Sequence, residues 1–154
     1  MDAILDKAKQ WLTSTFDAET QTEINELINN NPDALADRFY KDMEFGTGGM
    51  RGIMGAGTNR INKYTLGRAT QGLSNYLLEN VEKEQPSVVI AYDCRHNSKK
   101  FAKVVADVLS ANNIKVFLFE DLRATPELSF AVRHLGCDAG IVLTASHNPP
   151  EYNG

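Results

Sequence analysis

From Pro86 onward the apolar residues of this chain change period, and that change limits the fold more than any other feature. Val88-Val89-Ile90-Ala91-Tyr92 is a continuous apolar run of strand length. Phe101, Val104, Val105, Val108 and Leu109 then recur at helical spacing over about residues 98–112. Ile114 to Phe119 reads as a second strand, and Thr125-Pro126 opens a helix stopped by Gly136. Ala139 to Leu143 is a third strand. Strands separated by helices of this length pair in parallel through right-handed crossovers. The sequence therefore predicts an α/β fold, a three-layer α/β/α sandwich around a small, mostly parallel (mixed) sheet.

The preceding residues read differently. Ile4, Leu5, Ala8, Trp11 and Leu12 follow a helical period, and Thr20 with Glu23 fits a capping box ahead of Ile24, Leu27 and Ile28. Asn31-Pro32 fits an N-cap followed by proline at the first helical position. Asn62 fits the start of a long helix carrying Leu66, Leu73, Tyr76, Leu77 and Val81 on one face. The division expected is a helical extension over 1–44 and an α/β/α domain over 45–154.

A parallel sheet places its ligands outside the carboxyl ends of its strands. Three loops leave those ends: Asp93 to Ser98, Glu120 to Thr125, and Thr144 to Asn148. Between them they offer a serine hydroxyl, imidazoles, guanidiniums and carboxylates. The last loop, Thr144-Ala145-Ser146-His147-Asn148-Pro149-Pro150, sets an exposed hydroxyl beside an imidazole that can give or take a proton near neutral pH. Asn148 is pushed out of the helical region by the proline that follows it, so the loop reads as a rigid support for Ser146. A turn serine that only satisfies local backbone is the bland alternative. His96 and His134 read as a polar loop residue and a helix-end residue. Asp93, Arg95 and Ser98 read first as a turn and capping network.

The tract from Phe45 to Gly57 holds glycines at 46, 48, 49, 52, 55 and 57, with Arg51 among them. Glycine lets a backbone approach an anion closely, and arginine pairs with phosphate oxygens in a bidentate way. The spacing is not that of a dinucleotide-binding loop, because Arg51 stands where the last glycine of G-x-G-x-x-G belongs, nor is it a Walker loop.

Charge and composition exclude some classes. Net charge is −4, from 16 basic and 20 acidic residues, which argues against a nucleic-acid partner. No apolar run approaches the roughly 20 residues needed to cross a bilayer, and the acidic start does not fit a signal peptide. Cys94 and Cys137 lack metal or redox spacing and read as two buried reduced thiols. The expected location is the cytoplasm.

Thr144 to Gly154, TASHNPPEYNG, resembles the phosphoserine loop of the α-D-phosphohexomutases, the phosphoglucomutase and phosphomannomutase superfamily. It is most similar to the branch holding phosphoglucomutase-2 and phosphopentomutase-type enzymes. Gly46 to Gly52 resembles the family's GTxGxRG segment, Asn59-Arg60-Ile61-Asn62 its NRMN segment, and Tyr92 to Ser98 its YDxRxxS loop.

The resemblance implies an intramolecular phosphotransferase. Such an enzyme moves a phosphoryl group between the C1 and C6 (or C5) hydroxyls of a sugar, through a phosphoserine and a bisphosphate intermediate. It implies Ser146 as carrier and one metal ligand, and His147 as acid/base or phosphate contact. Arg51, Thr47, Asn148 and Arg95 follow as substrate or phosphate contacts. It further implies Mg²⁺, a sugar bisphosphate activator, and a hexose or pentose phosphate as substrate, with no nucleic acid or membrane.

The family's aspartate-rich metal loop and sugar-specificity loop are not found in this sequence. An N-terminal domain fragment, inactive alone, is therefore expected, with its end after Thr144 loosely held. The competing reading is a stand-alone phosphosugar or anion-binding module without catalysis. An α/β hydrolase using Ser146 and His147 fits poorly, since G-x-S-x-G is absent.

Overall fold

The computed structural model describes residues 2–154. The chain forms two compact units, the first ending at Asn62 and the second running Lys63–Gly154.

In the first unit, α1 (Asp2–Lys9) runs into a 3₁₀ turn at Gln10–Leu12, followed by α2 (Ala18–Asn30), α3 (Pro32–Phe39) and the two-residue strand β1 (Gly52–Ile53). Ala8, Trp11, Ile24, Leu35 and Phe39 are buried. Trp11 stacks on Phe16 at 4.5 Å between ring centroids and meets Phe39 edge-on at 5.6 Å. Asn31 caps α3 as expected, its Oδ1 accepting from the Ala34 amide with Pro32 behind it.

The capping box expected at Thr20 and Glu23 does not form. Asp17 is the N-cap, accepting from the Thr20 amide and hydroxyl, so α2 starts earlier. Glu23 is drawn elsewhere, to the Arg38 guanidinium and the Ala56 amide. Arg38 is thereby fixed beneath the glycine tract, and Gly57 (φ 124°) lies so close that a Cβ there would stand 2.7 Å from the Arg38 carbonyl oxygen. No larger residue fits that approach.

The second unit holds α4 (Lys63–Asn80), β2 (Ser87–Tyr92), α5 (Ser98–Ala111), β3 (Lys115–Leu118), α6 (Thr125–His134), β4 (Ala139–Leu143) and the short β5 (Tyr152–Asn153). β2 is central, with order β3-β2-β4 and both pairings parallel. The register sets Ile90 opposite Leu118 on one side and Ile141 on the other.

Side chains alternate across the sheet, which decides what each helix covers. Val89 and Ala91 pack with Leu128 and Ala131 of α6, joined by Phe117 and Val142. Val88, Ile90 and Tyr92 point the other way and are equally buried. α5 contacts all three strands and covers that second face. The crossover from β2 to β3 and the one that returns from β3 past β2 to β4 run in opposite directions across the sheet, so with the usual right-handed sense their helices fall on opposite faces. This gives the three layers. Each fully buried aliphatic side chain here, such as Ile90 or Leu109, contributes about 1.5–3 kcal/mol.

α4 buries a narrower stripe than its apolar residues suggested. Leu66, Thr70, Ser74 and Leu77 are inside, while Tyr76 is 60% exposed. The two hydroxyls are tolerated there because each donates to the carbonyl four residues back, Thr70 to Leu66 at 2.7 Å and Ser74 to Thr70 at 2.8 Å. α4 packs against α5, and a Cβ added at Gly67 would stand 3.9 Å from Val108.

At the amino edge of the sheet, Asp138 accepts from the Ser87 amide at 2.8 Å and pairs with Lys83. Burial pushes its carboxyl up, but Lys83 and the Ser87 amide pull harder, and the net effect holds it below the ordinary 3.8. Gly136, at φ 64°, ends α6 just before it in the left-handed turn that glycine favours.

Candidate functional site

At the carboxyl edge, β2 and β4 deliver Asp93 and Thr144 side by side, and Asp93 ties the two loops together. Its Oδ2 accepts from the Thr144 hydroxyl at 2.6 Å, while Oδ1 accepts from the Arg95 amide at 2.9 Å and the Ser98 hydroxyl at 2.8 Å. The turn network expected of Asp93, Arg95 and Ser98 is present. Asn97, at φ 64°, completes the turn into α5.

The third loop is joined as well. The Tyr92 hydroxyl donates to the Glu120 carbonyl at 2.8 Å, and the Arg123 amide donates back to the Tyr92 carbonyl at 3.2 Å. The Arg123 guanidinium turns aside, over the Phe119 ring and toward Glu127.

Ser146 stands exposed at the tip of the loop after β4. The Asn148 amide donates to the Ala145 carbonyl at 3.0 Å, closing a turn whose second residue is Ser146. Ser146 has φ 55°, in the left-handed region. That conformation costs an L-residue about 1–2 kcal/mol, and surrounding bonds must hold it. One of them is the Ser146 amide donating to the Thr144 hydroxyl at 3.0 Å, the hydroxyl that also binds Asp93. Ser146 Oγ lies 3.4 Å from His147 Nδ1, a loose contact with both groups open to solvent.

Arg95 was missed as the organiser of this loop. Its Nη2 donates to the carbonyls of Ser146 at 2.8 Å and Asn148 at 2.6 Å, and its Nη1 to those of Pro149 at 2.9 Å and Tyr152 at 3.2 Å. Asn153 was missed too. It is fully buried, donating to the His96 carbonyl and the Ser98 hydroxyl, both at 2.9 Å. The Thr144 amide donates to the Gly154 carbonyl at 3.0 Å and closes the segment on itself. The residues after Thr144 were expected to be loosely held, and instead they are pinned from within.

Arg51 is exposed, on the far side of a tight turn in which Gly46 and Gly49 exchange backbone hydrogen bonds, with Thr47 exposed at the turn's tip. The thiols differ from expectation: both are free, but Cys94 is exposed in the loop after β2 and only Cys137 is partly covered. Cys94, Asn97, Lys99, Lys100 and Asp121 line a shallow cavity of about 360 Å³ beside the carboxyl edge. Among the described residues, no group of three or more His, Cys, Asp or Glu gathers to hold a metal, and no helix is long and apolar enough to cross a membrane.

Comparison with known proteins gives one consistent direction. Residues 42–154 match the family described as phosphoglucomutase/phosphomannomutase, alpha/beta/alpha domain I. A phosphoglucomutase of Staphylococcus haemolyticus is 47% identical over 116 residues, which is 75% of this chain and 21% of that protein. One from Staphylococcus epidermidis is 48% identical over 112 residues, or 73% of this chain and 20% of that protein. A crystal structure of a protein from Thermus thermophilus, assigned as a phosphomannomutase, superposes with a TM-score of 0.67 at 38% identity. That match covers 74% of this chain and 25% of the other. The chain thus spans about a fifth of the length of the curated relatives it matches.

Proposed function

Because the chain belongs to the phosphoglucomutase/phosphomannomutase family, matching its alpha/beta/alpha domain I, we propose that it is the part of a phosphosugar mutase that carries the phosphoryl group, on Ser146. The observation that supports this most is Ser146 itself: an exposed hydroxyl in a left-handed turn, its backbone bonded to Thr144 and Arg95. Residues do not occupy that region without support, and strain of this kind gathers at functional sites.

In the proposed cycle the Oγ–P bond of phosphoserine breaks as a sugar hydroxyl oxygen bonds to phosphorus, and that hydroxyl loses its proton to a base. In the return half, Ser146 Oγ attacks the other phosphate of the bisphosphate and gives up its own proton, while the bond from that phosphorus to the sugar oxygen breaks and the oxygen leaves as a hydroxyl after taking a proton. His147 Nδ1, 3.4 Å from Oγ, is the proposed acceptor of that proton. Catalysis of phosphoryl transfer is mainly positioning and charge stabilisation, so the remaining roles are electrostatic. Arg51 and Thr47, from the glycine tract, and Asn148 are the proposed phosphate contacts.

The reading includes Mg²⁺ at the phosphoserine and a sugar bisphosphate as activator. The residues of this chain do not by themselves make a Mg²⁺ site. Ser146 supplies one oxygen, and both oxygens of Asp93 are taken by Thr144, Arg95 and Ser98. The ion holds its waters unless carboxylates or phosphates replace them. The reading also includes a boundary between 1–44 and 45–154, a hexose or pentose phosphate as substrate, and a place in the cytoplasm.

The test is phosphopeptide mapping of the mutase containing this chain after incubation with a hexose bisphosphate. Phosphate is expected on Ser146 and absent from Ser146→Ala. A label elsewhere that survives Ser146→Ala, or tight bisphosphate binding with no transfer, overturns the reading in favour of another carrier or a binding module.

A further inference from the structure

We infer that Arg95 is a positioning residue for the phosphoryl carrier, and that it acts by fixing the direction of the Ser146–His147 peptide. This rests on the reading of Ser146 just given. It also removes Arg95 from the phosphate contacts.

A guanidinium has five N–H donors in a planar fork. Four of those of Arg95 go to carbonyls of one loop, at Ser146, Asn148, Pro149 and Tyr152. The fifth, on Nε, faces Asp93 Oδ2 at 3.5 Å. The side chain is 13% exposed. No donor is left for a substrate phosphate. The cation instead lies inside the loop, where it offsets the negative ends of four carbonyl dipoles that an incoming phosphate would otherwise meet.

The orientation of the peptides follows. In a planar trans peptide the C=O and the next N–H point to opposite sides. The Ser146 carbonyl is turned onto Arg95, so the His147 N–H is turned away from it, out of the loop. That amide donates to no backbone carbonyl among the described residues. Its neighbours are already committed: the Ser146 amide to Thr144 Oγ1, the Asn148 amide to the Ala145 carbonyl and the Tyr152 amide to the Pro149 carbonyl. Pro149 and Pro150 have none. Within the turn from Ser146 to Asn148 the His147 amide is therefore the open backbone donor, one residue past the carrier, directed to serve an oxygen of the phosphoryl group on Ser146. A preset donor of this kind needs no reorganisation as charge develops. Lysine cannot replace Arg95, because an ammonium has three donors from one point and cannot span the four carbonyls.

The experiment uses the mutase that contains this chain. The wild type is first assayed for transfer from a hexose bisphosphate to Ser146. No label there refutes the functional reading, which is a separate result. With the wild type labelled, Arg95→Lys is expected to lower kcat about 100-fold, the scale of a small misplacement at a reacting group, with KM nearly unchanged. Millimolar guanidinium ion is expected to restore part of kcat in Arg95→Ala. A raised KM at unchanged kcat means that Arg95 binds substrate phosphate, and wild-type values in both mean that the clamp is idle. Either overturns the inference. If the variants do not fold, amide exchange on the wild type decides. Asn148 and Tyr152 amides should be protected and the His147 amide open, whereas uniform fast exchange across the loop rules the clamp out.

Discussion

The two edges of the parallel sheet are each organised by one aspartate, and the two are used differently. At the amino edge, Asp138 joins the start of β2 to the residue before β4 and pairs with Lys83. Its backbone partner, Ser87, is already held by the sheet register, so there it reinforces an arrangement that exists without it. At the carboxyl edge, Asp93 receives a backbone amide, two hydroxyls and the Arg95 guanidinium. Its partners lie in two loops that leave different strands, and it is the side chain that bonds to both. One edge of the sheet uses an acidic side chain for stability, and the other uses one to hold a strained, exposed serine.

That contrast can be broken most decisively at Asp93. Asp93→Ala is expected to destabilise the chain by about 3 kcal/mol, because it removes the carboxylate facing the Arg95 Nε and leaves the Arg95 amide and two hydroxyls without their acceptor. It should also abolish phosphate uptake at Ser146 in variants that remain folded. Chemical denaturation and phosphopeptide mapping read the two effects, and a loss of stability with normal phosphate uptake would contradict the division.

Asp138→Asn is the counterpart, expected to cost about 1–2 kcal/mol at neutral pH with Ser146 phosphorylation unaffected. The pH dependence has a definite sign. The folded carboxyl lies below its ordinary 3.8, so its contribution is fully present above that value. It is lost as pH falls below 3.8 through the folded value. The gap between wild type and Asp138→Asn should therefore close in acid. A gap independent of pH would show that shape, and not charge, is at work.

The smallest effect is the most direct test of strain. Ser146→Gly is expected to stabilise the chain by about 0.5 kcal/mol, the relief of a left-handed residue less the entropy glycine adds to the unfolded chain. A measurable loss of stability would mean that the serine side chain supports its own turn.

Much of this was legible beforehand because period and punctuation are local. The bounds of β4, the Asn31-Pro32 start of α3 and the Gly136 stop follow from neighbouring residues. The capping box was misplaced because Asp17 is as good a cap as Thr20, and only the folded chain shows that Glu23 is needed at Arg38. Cys94 was taken for buried because thiols usually are, although its loop faces outward. Arg95 was legible as part of a turn but not as a clamp. Its acceptors are main-chain carbonyls, which every residue has, so no residue type in the sequence reports them. Asn153, polar and near Gly154, gave no sign of being fully enclosed.

The distance along the chain between Arg95 and its acceptors has a consequence for the order of assembly. They lie 51 to 57 positions apart, with two helices and two strands between. Nothing local can bring them together: β2 and β4 must already be neighbours before the four bonds exist. A hairpin can form its turn early, but this turn has to wait for the whole crossover topology and the slow, non-local search that parallel strands require. The conformation of Ser146 is thus a late product of folding, and a chain that displays it has already passed the steps at which its sheet could have gone wrong.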